Sequence, residues 1–444
     1  MNLPRTSSPR RFPPIEALEA RIAPASIGAS TISNSGSANA FEFFDASSAR
    51  TSTITKSGGE GGGGPEVTIV NKHLATFTDA DGDLVKITVS SGRLDKSDFV
   101  LRAAGLGADL VRVNFSDDSG EFARTNLTIT ANHQIVPGSS GVFQGNGFVN
   151  VGFINSTGAD LGKVSIKGDL GQISAGLPGS ARPALKSLTA QSMGAFGLAT
   201  QEIGGSLSSD FAGNVGKITV KSDLDGVTLA ATGSIAKVKV RGSIVGGQIS
   251  AGTTLGKVIV RGDIVGTDAA RVLITAFGNA SAPTRGTDLA IGSLSVGGGV
   301  EFLRVLAGFD RARVGLNADA SIGSLSVGGD WHASTVLTGA AAGPDGFEGT
   351  TDDIKLPFPA RDSARIVSGI ARIAIGGQAY GTLAVGDSFG IVTEKIGALR
   401  VGGTGFRLER GAQSPGDFFP LGATVPGPNG LPSDFSIGEI VSPL

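Results

Sequence analysis

The chain contains no cysteine. That single absence removes disulfides, zinc–thiolate centres, iron–sulfur clusters and thiol nucleophiles together. Aromatic residues are scarce at 6%, with one tryptophan and one tyrosine, and the three histidines, His73, His133 and His332, stand far apart in sequence. No Ser-His-Asp pattern, nucleophile elbow or phosphate-binding loop is present, so the sequence gives catalysis little support. Charged residues make up only 17% and sum to a formal net charge of −2. No global field therefore draws nucleic acid or a membrane surface, and an electrostatic partner must meet a local patch. No apolar run approaches the ~20 residues of a membrane-spanning helix, and the opening ~30 residues lack the apolar core of a secretory signal. No transmembrane segment is expected, and no standard export route is visible.

What the chain has in abundance is glycine, 70 of its 444 residues. That is about twice the usual ~7%, which argues for many tight turns and against helical bundles. Residues 1–64 are rich in Ser, Gly, Ala and Arg and end in the glycine-rich run at 58–64. They are expected to be a disordered tag and linker. From 65 to 147 the pattern becomes short alternating stretches at 67–70, 85–89, 111–115 and 127–130, a small β domain or the cap of a repeat array.

From 148 to 444 a ten-residue unit recurs, clearest at Leu161–Leu170 and Leu255–Ile264, with apolar residues at positions one, four, six and ten. Further copies begin at Leu185, Val215, Ile235, Ile291, Ile322, Ile370 and Ile396. The starts at 215, 235 and 255 are 20 residues apart, and longer intervals imply inserted loops, the largest near 339–369. This spacing fits no helical face. Stacked coils would bury the apolar side of each unit and pair its backbone with its neighbours. The expected fold is an all-β, right-handed parallel β-helix of about 13 coils at roughly 4.8 Å per coil. The glycine at position eight is read as a corner that needs positive φ. A leucine-rich repeat shares the first three apolar positions, but it requires an asparagine at position nine that no copy has.

Two loops concentrate carboxylates, the hard oxygen donors that Ca²⁺ takes. Asp79, Asp81 and Asp83 alternate around Gly82, like the D-x-D-G-D segments of bacterial cadherin-like surface modules. Asp345, Asp352 and Asp353 lie in the long interval between repeats. Calcium is thus the one cofactor considered, against the plainer reading of solvated acidic turns. A third pattern is basic. In the copies at 161, 215, 235 and 255, Lys163, Lys217, Lys237 and Lys257 share one outward position, and Lys167, Lys221, Arg241 and Arg261 share another. Such a ladder suits an acidic cell-envelope polysaccharide. The plain alternative is a solvated face whose charge is relieved by Asp169, Asp223 and Asp263.

Residues 15–24, Ile-Glu-Ala-Leu-Glu-Ala-Arg-Ile-Ala-Pro, resemble the short L-E-P-R-x-L-L tag, in its L-E-x-R-I-A-P form, of exported bacterial repeat proteins. Leu18, Glu19 and Arg21 carry the match, while Ala20 replaces the proline. The resemblance implies an extracellular or cell-surface protein. The sequence therefore favours a non-enzymatic scaffold or adhesin-like binder of acidic polysaccharide or of other surface proteins. A β-helix polysaccharide lyase or hydrolase is the alternative, one that would need clustered carboxylates on a binding face.

Overall fold

Strand formation begins with one coil. Val215–Val220 turns Val215, Ile218 and Val220 inward; Leu224–Asp225 and Thr228–Ala231 then bring Leu224, Leu229 and Ala231 to the same interior before Ile235–Val240 begins the next coil. Positions one, four, six and ten of the repeat are thus all buried. Pairing in the first strand passes from Val215↔Ile235 to Lys217↔Lys237 without a step at position two. That irregularity shifts the two-residue alternation by one and accounts for the gap of three between the first two inward residues.

A computed structural model of the chain describes residues 54–56, 65–116, 120–136, 138–283, 285–357, 361–409, 416–422, 427 and 433–440. The tag-like segment 15–24 and most of the expected linker lie outside them. Within the linker, Ile54–Lys56 is described and pairs antiparallel with Phe99–Ala104.

The protein is an all-β solenoid of parallel strands. From Gly107–Asn114 onward the chain alternates between two sheets. In one, the repeat starts Leu161, Leu185, Val215, Ile235, Leu255, Ile291, Ile322, Ile370 and Ile396 form a single column of neighbouring partners. Among the described residues this column holds nine repeat starts, with Leu127–Asn132 stacked in parallel before them, fewer than the roughly 13 coils that an average coil length gives, because inserted loops consume chain. The second sheet receives strands such as Thr228–Ala231, Gln248–Ala251 and Val272–Ala276, stacked in register. They occupy the place where a leucine-rich repeat would carry helices.

Gly403, at position eight of the copy at Ile396, has the expected positive φ of 81°, but other position-eight glycines have a different role. Gly242 and Gly262 are absent from the residues with positive φ, whereas Gly226 and Gly246, at the next corner, have φ of 62° and 63°. A Cβ on Gly242 would lie 2.1 Å from Asp223 Oδ1, and one on Gly262 would lie 2.4 Å from Ser243 Oγ. Glycine is required there by close approach between coils.

Antiparallel strands close both ends. Thr68–Asn71, Leu74–Thr78 and Leu84–Val89 form a meander on Leu127–Asn132, which itself pairs in parallel with Leu161–Ile166. At the other end Phe418–Leu421 runs antiparallel to Phe435–Glu439. One hydrophobic cluster extends from Val67 to Ile437, so the meander shares the solenoid core and covers its first edge. A second cluster, including Leu306, Phe309, Leu337, Leu356 and Val392, forms where inserted segments fold over the outer side of the second sheet.

Candidate functional site

The register of three consecutive strands builds the basic face. Lys217 pairs with Lys237 and Lys237 with Lys257. Lys221, Arg241 and Arg261 stand just beyond the ends of these strands, each donating its amide to the preceding coil. Lys239, missed at the sequence level because its equivalents are Thr219 and Ile259, joins them between the two columns. Its ammonium is held below the usual lysine range, first by the charge of Arg261, then by partial desolvation and by Arg241, Lys237 and Lys217. Seven cations thus crowd one surface. None of the seven forms an ion pair among the described residues.

The remainder of the proposed ladder is less regular. Ser187 separates Lys163 from Lys217. Lys167 donates to the Ala131 carbonyl at 3.1 Å and lies over the Phe148 ring. Ser293 and Ser324 follow Lys257 along the column. The expected counter-ions are occupied elsewhere: Asp223 accepts the Ser243 amide at 2.6 Å, Asp263 the Gly299 amide at 2.8 Å, and Asp169 the Ser192 hydroxyl at 2.7 Å. At about 5 Å in water each stacked cation pair costs about 0.8 kcal/mol before screening. A bound polyanion would remove that cost.

The first acidic loop converges. Among the described residues, Asp79, Asp81 and Asp83 bring carboxylate oxygens within 4.8 Å of one another. The Asp83 amide donates to Asp79 at 2.8 Å, the Asn146 amide donates to Asp81 at 3.0 Å, and the Gly147 amide donates to Asp83. Asp83 is fully buried, yet its Oδ1 has no hydrogen-bond partner, and His133 Nδ1 stands 3.6 Å away. Burial chiefly pushes the Asp79 carboxyl up to about 7; its hydrogen bond to Asp81 and the charges of Asp81 and Asp83 add to the rise, and the Asp83 amide opposes it.

The second loop turns its carboxylates onto itself. Asp345 accepts from the Phe347 amide, Asp352 from the Asp345 amide and the Thr350 hydroxyl, and Asp353 from the amides of Gly349 and Thr350. Asp345, Asp352 and Asp353 are not among the convergent groups. The three histidines remain apart, but His332 and Tyr380, on adjacent coils, stack at 4.8 Å. Sequence spacing hid that pair behind a 48-residue interval between coils. No family model, curated protein or solved structure matches the chain, and function must be read from its own geometry.

Proposed function

We propose that the protein is a non-enzymatic, exported or cell-surface β-solenoid scaffold that docks an acidic polysaccharide along its basic face. The observation that carries this reading is the group of seven unpaired cations on three consecutive coils. A fold that needed only a solvated face would interleave acids, as neutralisation lowers self-repulsion. Here Asp223 and Asp263, the carboxylates two residues beyond Lys221 and Arg261 in the chain, each direct an oxygen to an amide of the following coil and form no ion pair with the seven cations among the described residues. A lyase or hydrolase acting on this face would instead need two free carboxyl groups about 5 to 10 Å apart there.

The test is retention of the full chain on immobilised polygalacturonate across a salt gradient. Wild type should bind at low ionic strength and elute as screening lengths shorten. Lys217→Glu, Lys237→Glu and Lys257→Glu together should abolish retention with the melting temperature held, since these side chains lie outside the core. Equal retention of the folded triple variant would sink the proposal. Fractionation of the native host tests the location.

A divalent cation, calcium by its all-oxygen donor set, is proposed at Asp79, Asp81 and Asp83. The buried, unpartnered Asp83 Oδ1 supports it, because an acceptor removed from water without a partner costs about 1–3 kcal/mol.

A further inference from the structure

The short strands of the second sheet carry an outward column that reads Asp225, Val245, Val265, Glu301, His332, Tyr380 from coil to coil. The corner residue that follows is left-handed glycine at Gly226 and Gly246. At the equivalent corners beside His332 it is Phe302, with φ of 48°, and Ala333, with φ of 43°. Side chains with a Cβ are disfavoured in this region, and such outliers persist where the surroundings over-determine them.

The consequence is a run of rings. Phe302 lies 5.7 Å from His332, which stacks on Tyr380 at 4.8 Å, and Glu301 places a carboxylate oxygen 3.2 Å from His332 Nδ1. Tyr380 has no ring partner on its other face among the described residues. A cleft of about 1010 Å³ is lined by Tyr380 together with Phe302 and His332, with Asp330, Gln378, Thr382, Phe406 and Asp434 in its walls. Asp434 is 2% exposed, and its Oδ2 has no hydrogen-bond partner. No lysine or arginine lines the cleft among the described residues. The Tyr380 hydroxyl is pushed up by burial and by the charges of Asp330 and Glu301, so the local field is negative.

We propose that this cleft binds a neutral sugar ring, with the ring's apolar face against Tyr380 and its hydroxyls donating to Asp434 and Asp330. The combination is specific. An aromatic face recognises the C–H side of a pyranose, the buried Asp434 Oδ2 and the exposed Asp330 carboxylate accept from hydroxyl groups, and the lack of lysine or arginine among the described lining residues disfavours an acidic sugar. The site is independent of the basic face and opposite to it in charge, so either can fail without the other.

The test is calorimetric titration of the full chain with cellopentaose and mannopentaose, with tetramethylammonium as a cation probe. At least one pentasaccharide should bind at millimolar concentration, and Tyr380→Ala should weaken it about five- to tenfold, the range of one aromatic contact. Phe302→Gly restores the residue type that other coils use at this corner. It should weaken binding while the melting temperature is held or raised, whereas a merely structural phenylalanine would show loss of stability with binding intact. Should Tyr380→Ala fail to fold, Phe302→Gly and Asp434→Asn carry the comparison. The proposal is overturned if neither pentasaccharide binds up to ~10 mM, if tetramethylammonium binds and the sugars do not, or if the folded variants bind as wild type does.

Discussion

Asp223 and Ser243 occupy equivalent corners one coil apart, and Asp223 Oδ1 accepts the Ser243 amide at 2.6 Å. Ser243 Oγ then accepts the Asp263 amide at 3.0 Å, and Asp263 Oδ1 the Gly299 amide at 2.8 Å. These corner amides face the preceding coil at a point where the strand ladder is interrupted, so the side chain supplies the acceptor that the sheet does not. Asp223→Ala should cost about 1–2 kcal/mol in urea unfolding, and Asp223→Asn, which keeps an acceptor, clearly less. Hydrogen exchange at the Ser243 amide should accelerate in the alanine variant. Unchanged exchange would remove the stitch from the account of stability.

Calcium should raise the melting temperature of the full chain, and a chelator should reverse the rise, because a ligand of the native state alone stabilises by RT ln(1 + [L]/Kd). At a concentration 100 times Kd that is about 2.7 kcal/mol. Asp83→Asn should abolish the response, while Asp345→Asn should leave it intact, since Asp345 faces its own loop. A response that survives Asp83→Asn places the ion elsewhere.

The coil was legible in the sequence and the sites only in part, for a physical reason. Burial of Val215, Ile218, Val220 and Leu224 repeats with the chain's own period, so composition at fixed spacing reports it directly. The basic columns inherit the same register and could be read where coils are 20 residues apart. Lys239 was missed because it occurs in one coil alone, and Lys163 stands in the expected column but is separated from Lys217 by Ser187. Phe302, His332 and Tyr380 meet only after intervals of different length are folded away. The signal that could have found them is the loss of glycine at a corner that earlier coils fill with Gly226 and Gly246.

Asp353 gives the pH dependence a definite sign. Burial pushes its carboxyl up to about 7 from the ordinary 3.8; Glu348 and Asp352 add to the rise, and the Gly349 and Thr350 amides oppose it. Between those pH values the folded protein holds a proton that the unfolded chain has released. Stability from this group therefore falls as pH rises from 3.8 to about 7 and is constant beyond it. Asp353→Asn keeps an oxygen for both amides and carries no charge, so the variant should gain melting temperature relative to wild type at pH 8 and little at pH 4. A gain of equal size at both pH values would assign the effect to packing.

Arg361 anchors the largest insertion to the solenoid. It pairs with Asp288, donates to the Asn279 carbonyl at 3.0 Å and to Asn317 Oδ1 at 3.3 Å, and lies 4.9 Å from the Phe277 ring centre. Asp288 is fully buried; its Oδ2, which faces Arg361, also accepts from Asn317 Nδ2 at 2.9 Å, and its Oδ1 accepts the Asn279 amide at 2.7 Å. Removing the guanidinium leaves that buried carboxylate without its cationic partner, which typically costs about 3–5 kcal/mol. Arg361→Met should therefore destabilise the chain by about that amount, and adding Asp288→Asn should recover part of the loss by removing the stranded charge. Because coils contact mainly their neighbours, the damage should concentrate around the coils that carry Asp288 and Asn317, with hydrogen exchange in Val215–Val220 little changed. A double variant no more stable than Arg361→Met would show that packing of the arginine stem over Phe277, rather than the buried charge, holds the insertion in place.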